Sequence, residues 1–206
     1  MVRKNTISPG RWSLGEDIDS EADRILREAR VGNNFVPETI DKPIPYFSDD
    51  LIQQYDFFRR NIYEPRRIFY PCCNLDVSPI RGFPNSEVIL MDKEEGLSEI
   101  MKQEDISQFI KGDVLVYDPA KPFDLVIALN PCLDSKDLTK HLSTRGYVIA
   151  NNYHGNSSQL LENPEFEGVG TIDRNENGIY LARGDFSKLN EFVDYFCVFR
   201  KLGEES

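Results

Sequence analysis

No apolar run in this 206-residue chain approaches the roughly 20 residues that a membrane-spanning helix requires, so a helical membrane protein is excluded. The opening segment, Met1 to Ser8, carries Arg3 and Lys4 but no apolar stretch of secretory length, and a cytoplasmic protein is expected. Cysteine is sparse: Cys72, Cys73, Cys132 and Cys197 lack the density and spacing of a secreted disulfide scaffold, and neighbouring Cys72 and Cys73 pair only through a strained ring. Free thiols are the expectation. Positive charge is in deficit, with 24 basic against 35 acidic residues and a net charge of -11, which disfavours nucleic acid and anionic membranes as partners. Arg59, Arg60, Arg66 and Arg67 are a local exception, read as a solvated helix end whose cations suit the helix dipole. Internal repeats and low-complexity segments are absent.

What is present is a series of short, β-rich apolar runs. Pro122 to Leu129, closed by Asn130-Pro131, has the continuous apolar character of a strand buried on both faces, as in parallel sheets. Glu87 to Met91 stops on Asp92, and Arg67 to Tyr70 stops on Pro71. All three meet polar or turn chemistry at their carboxyl ends, where open α/β sheets bind ligands. Ile68, Phe69, Val88, Leu90, Leu125, Ile127, Val148 and Ile149 are the expected core. Further strands are expected at Ile106 to Gly112, with Val114 to Tyr117 competing for the same role, at Tyr147 to Ala150, Phe166 to Ile172, Ile179 to Ala182 and Val193 to Arg200.

Helical spacing alternates with these runs. Ser48 is a good N-cap for Leu51, Ile52, Tyr55, Phe58 and Ile62, and Pro65 stops that helix. Pro79, Gly82 and Pro84 allow at most a turn or two after Ser78. Helices are expected from Glu94 to Gln103, Ser135 to Leu142 and Ser157 to Leu161. His141 is read as a surface residue of the second of these. Residues 1–45, rich in proline and charge, are read as an N-terminal extension with one short helix near Ser20 to Arg30; 46–202 form the domain and 203–206 a tail.

The order of these elements and the closing run Asp194 to Lys201 resemble the class I S-adenosylmethionine-dependent methyltransferase fold over Ser48 to Leu202. The resemblance implies a Rossmann-like, doubly wound, mostly parallel sheet with an antiparallel C-terminal edge. It also implies S-adenosylmethionine as cofactor, with the Tyr70 to Asp76 loop against its methionine part, Asp92 on the ribose hydroxyls and Asp113 at the adenine. The implied binding set is Tyr70, Cys72, Asn74, Asp92, Asp113 and Asn130. A carboxylate about 20 residues beyond the first strand suits vicinal hydroxyls. A capping or solvated role for Asp92 and a plain surface turn at Asp113 stand beside that reading.

The chain departs from the family in its first loop. Pro71-Cys72-Cys73-Asn74-Leu75-Asp76 has no glycine, although Asn74 can take the left-handed conformation that glycine supplies, and Ser78 can cap the turn that follows. Asn130-Pro131-Cys132-Leu133 partly resembles the Asn-Pro-Pro-aromatic motif of amino-directed methyltransferases, with Cys132 and Leu133 replacing its last two residues; a strand-terminating turn is the plainer reading. Cys72, Cys73, Cys132 and His154 are expected to gather where the first and fourth strands adjoin, but their spacing matches no zinc signature and no metal is expected. Methyl transfer requires no dedicated acid or base, so no residue is assigned a catalytic role. Asn130, Tyr153 and His154 lie on the edge that would touch an acceptor. The function implied is methyl transfer to a small molecule or protein; the alternative is a binding or interaction module of the same fold that has lost cofactor chemistry.

Overall fold

In the computed structural model, residues 43–129, 131–189 and 196–203 are described. The expected helix near Ser20 to Arg30 and the site residue Asn130 lie outside them. Along the described chain run α1 (Asp49–Asn61), β1 (Arg67–Pro71), α2 (Ser78–Gly82), β2 (Glu87–Asp92), α3 (Leu97–Gln103), β3 (Phe109–Lys111), β4 (Phe123–Ala128), α4 (Ser135–Thr139), β5 (Leu142–Ala150), α5 (Asn156–Glu162), β6 (Phe166–Asn175), β7 (Gly178–Arg183) and β8 (Phe196–Lys201). The eight strands form one sheet in the order β3-β2-β1-β4-β5-β8-β6-β7. From β3 to β5 every pairing is parallel, and β8 enters antiparallel between β5 and β6, with the β6–β7 hairpin outermost.

Alternation along the strands explains why both faces are covered. Ile68, Tyr70, Leu90, Leu125, Ile127 and Ile149 point to one face, where Tyr55 and Phe58 of α1 and Met101 of α3 pack on them. Phe69, Met91, Val126, Ala128, Val148 and Ala150 point to the other, against Leu138 of α4 and Leu160 of α5. All eight expected core residues are buried, Leu125 and Ile127 completely. Tyr55 stacks on Phe196 with ring centroids 5.4 Å apart, tying α1 to β8. Ser48 caps α1, its side chain accepting from the Leu51 N–H.

The N-terminal end of β1 is fastened by charge. One oxygen of Asp124 accepts from the N–H groups of both Arg66 and Arg67, each at 3.0 Å. The Arg67 guanidinium pairs with Glu87 at 2.7 Å and lies over the Phe123 ring. Arg59 and Arg60 both pair with Asp56 on their own helix. Three of the four clustered arginines therefore serve the fold.

Several boundaries differ from the sequence reading. β3 is only Phe109–Lys111, within the Ile106 to Gly112 run, and the competing Val114 to Tyr117 is a turn held by Asp113, whose carbonyl accepts from the Val116 and Tyr117 N–H groups. α4 stops at Thr139 because β5 already starts at Leu142, opposite Phe123. His141 is consequently not on a helix; it sits half-buried in the intervening turn, its Nε2 2.7 Å from the Tyr117 carbonyl. Ser78 does not cap α2, whose N-cap is Val77; its hydroxyl instead accepts from the Ser48 N–H.

Candidate active site

The strand order reverses between β1 and β4, and the loops after β1, β2, β4 and β5 meet at the carboxyl edge there. The β1 loop makes its turn without glycine by placing two other residues in the left-handed region, Cys72 at φ 55° and Asn74 at φ 49°. Asn tolerates this through its short polar side chain; cysteine does so at a cost of about 1–2 kcal/mol. Contacts over-determine the strained loop. The Cys73 N–H donates to the Met91 carbonyl at 3.3 Å, the Asp76 N–H to the Cys73 carbonyl at 3.0 Å, and the Asn74 N–H to Asp92 Oδ2 at 2.9 Å. Asp92 Oδ1 accepts from the Glu94 N–H at 3.0 Å. Asp92, half-buried at the end of β2, thus clamps the β1 loop to its own.

Beneath the loop lies a polar knot that sequence reasoning missed. Asp76 is buried, accepting from the Tyr70 hydroxyl at 3.1 Å and from the Ser78 N–H at 2.9 Å. Burial pushes its carboxyl above the usual range against the opposing pull of these donors. The Asp76-Val77-Ser78 spacing, an Asx turn, was the available signal. Tyr70 is therefore turned into the core, whereas Cys72 is half-buried and Asn74 exposed. Burial, then the Asp92 charge, push the Cys72 thiol up to about 11. Cys73 and Cys197 are buried, and burial raises the thiols of both.

Asp113, half-buried beyond β3, binds the Leu115 N–H through Oδ1 at 2.9 Å and so closes a turn. On the far side of the switch point Cys132 and His154 come together, Sγ 3.3 Å from Nε2. The Tyr153 ring meets His154 edge-on, with centroids 4.8 Å apart. A pocket of about 380 Å³ opens in front of the pair, lined also by Leu115, Leu133, Asp134 and Asp137. Cys72 and Cys73 do not join Cys132 and His154 as ligands: among the described residues no three His, Cys, Asp or Glu groups are placed to hold a metal ion. No described helix is long and apolar enough to cross a membrane.

No protein-family model and no curated protein sequence matches this chain. Solved structures do. The N-methyltransferase NodS from Bradyrhizobium japonicum WM9, in complex with S-adenosyl-L-homocysteine, is 13% identical over 84% of this chain and 95% of its own, with a TM-score of 0.52. The O-methyltransferase from Bacillus cereus, also in complex with S-adenosyl-L-homocysteine, is 12% identical over 91% and 92%, with a TM-score of 0.51. The chain has the fold of class I S-adenosylmethionine-dependent methyltransferases.

Proposed function

We propose that this chain binds S-adenosylmethionine at the carboxyl ends of β1, β2 and β3 and transfers its methyl group to a small molecule or protein. The observation that carries the reading is Asp92. Each of its oxygens accepts one backbone N–H, and a carboxylate oxygen has two acceptor sites, so both retain capacity for a ribose hydroxyl. The left-handed Cys72 and Asn74 give the loop the backbone course for which such folds use glycine, and Asp113 stands at the end of the neighbouring strand. The Asp92 acceptors fit an adenosyl group at its ribose end.

S-adenosylmethionine supplies an already activated methyl group on a sulfonium, so the protein's task is to position and to exclude water. Asp92 orients the ribose through charge-assisted hydrogen bonds. The exposed Leu115, Val116 and Tyr153 offer apolar surface to an acceptor, and His154 is placed to take a proton from it.

One observation favours the second reading, a binding module without cofactor chemistry: Cys72 and Asn74 carry side chains where a ligand needs close approach, and the Asn74 N–H is turned onto Asp92. Calorimetry with S-adenosylmethionine and S-adenosylhomocysteine separates the two. Micromolar binding of either is expected, and no binding at millimolar cofactor would support the module instead.

A further inference from the structure

The pocket beyond β4 and β5 holds a thiol that the proposed methyl transfer does not use, Cys132, beside His154. β4 and β5 are parallel neighbours with Ala128 opposite Ala150, so Cys132 and His154, each four residues farther on, leave the sheet side by side. Their loops are cross-linked. The buried Asn156 donates to the Leu133 carbonyl at 2.7 Å, and the Ser135 N–H donates to Gln159 Oε1 at 2.8 Å. The 3.3 Å approach of Sγ to Nε2 is thus held by the scaffold on both sides. Both residues are exposed, unlike the buried Cys73 and Cys197 and the half-buried Cys72.

The pocket in front of them carries Asp134 and Asp137, and neither lysine nor arginine is among its described lining residues. Lys140, on the adjoining turn, donates to the Leu115 carbonyl at 2.7 Å. Leu115 and Leu133 supply an apolar wall.

We propose that Cys132 is a thiol nucleophile with His154 as its base, and that the pocket before them admits a cationic electrophile. The sulfur forms a bond to the electrophilic carbon or sulfur as that atom's bond to its leaving group breaks. The leaving group departs with the bonding electron pair, and the thiol proton passes to Nε2 and then to water. Neither Asp92 nor the β1 loop takes part, so the proposal stands or falls independently of adenosyl binding.

Charged methanethiosulfonates test it on the full chain, with each cysteine followed by peptide mass. Attack forms a mixed disulfide at the cysteine and releases methanesulfinate. With the 2-aminoethyl cation, Cys132 should be labelled before the other three thiols, and about tenfold or more faster than with the 2-sulfonatoethyl anion. His154→Asn should slow the labelling of Cys132 about tenfold or more and leave Cys72 unchanged. Asp134→Asn with Asp137→Asn should bring the cation-to-anion ratio down to that of the protein unfolded in urea. Equal Cys132 rates in wild type and a folded His154→Asn variant would overturn the nucleophile–base pair. A ratio unmoved by the paired Asp replacements would overturn the cation preference.

Discussion

Replacing Asp92 by alanine should damage both the fold and any adenosyl site, and the two losses are separable. The carboxylate accepts from Asn74 at 2.9 Å and from Glu94 at 3.0 Å. Net of water, hydrogen bonds to charged groups contribute about 1.5–3 kcal/mol each. Asn74 and Glu94 are exposed, which puts both bonds at or below the low end of that range, and a loss of about 1–3 kcal/mol is expected for Asp92→Ala. Asp92→Asn keeps one acceptor oxygen and should lose about half as much. Urea titration reads the loss as a lowered midpoint at unchanged slope. On the proposed function, Asp92→Ala also removes both ribose contacts and weakens S-adenosylhomocysteine by about 2–4 kcal/mol, roughly 30- to 700-fold. A midpoint that does not move would refute the clamp. Undiminished binding by a destabilised Asp92→Ala would refute the ribose contact and leave the clamp standing.

Truncating Leu125 or Ile127 to alanine, both fully buried in β4, should cost about 2–5 kcal/mol through lost burial and a residual cavity; less than about 1 kcal/mol for both in denaturant titration would contradict their packing. Burial raises the Asp76 carboxyl, so the folded state holds that proton more tightly than the unfolded chain; its contribution is fully present below about pH 4 and declines as pH rises through the folded value. Asp76→Asn should accordingly compare worst with wild type in acid and gain on it as pH rises, and melting curves showing the opposite trend would refute the assignment. Gly170 lies at φ 144° with the Ala182 carbonyl oxygen 2.2 Å from where a Cβ would stand, so Gly170→Ala should lower stability by more than about 2 kcal/mol; a melting temperature within a degree of wild type would show that the β6–β7 ladder yields there.

The parallel half of the sheet was legible because β1, β2 and β4 are buried on both faces, and continuous apolar runs are the signature of that environment. β2 matches the expected Glu87 to Asp92 at both ends. Legibility failed where pairing outweighed composition. The first part of β5, Leu142 to Gly146, is mostly polar, and Leu142 reads as the end of the helix from Ser135, yet the segment extends the strand alongside Phe123. The antiparallel edge was implied by consecutive strands at the C-terminus. That β8 enters between β5 and β6 depends on long-range pairing, which local periodicity does not encode.

The candidate site divides along the same line. Position along a strand is a local property, and it led to Asp92, Asp113 and the β1 loop as residues at carboxyl ends. Partnership is not local. Nothing in the neighbourhood of Asp92 announces that its oxygens hold the amides of Asn74 and Glu94, and nothing near Tyr70 shows that its hydroxyl is directed inward to Asp76. The glycine-free loop illustrates the consequence. Read alone, Pro71 to Asp76 lacks glycine and offers only Asn74 for a left-handed turn, which makes close approach of a ligand harder. In the fold, the Asp92 carboxylate accepts the Asn74 N–H and the Asp76 N–H donates to the Cys73 carbonyl, and these contacts brace the loop that carries Cys72 and Asn74 at positive φ, so hydrogen bonding does there what glycine does by conformational freedom. A loop held this way should be stiffer than a glycine turn. Its conformation should depend on the Asp92 carboxylate, a partner that glycine would never require.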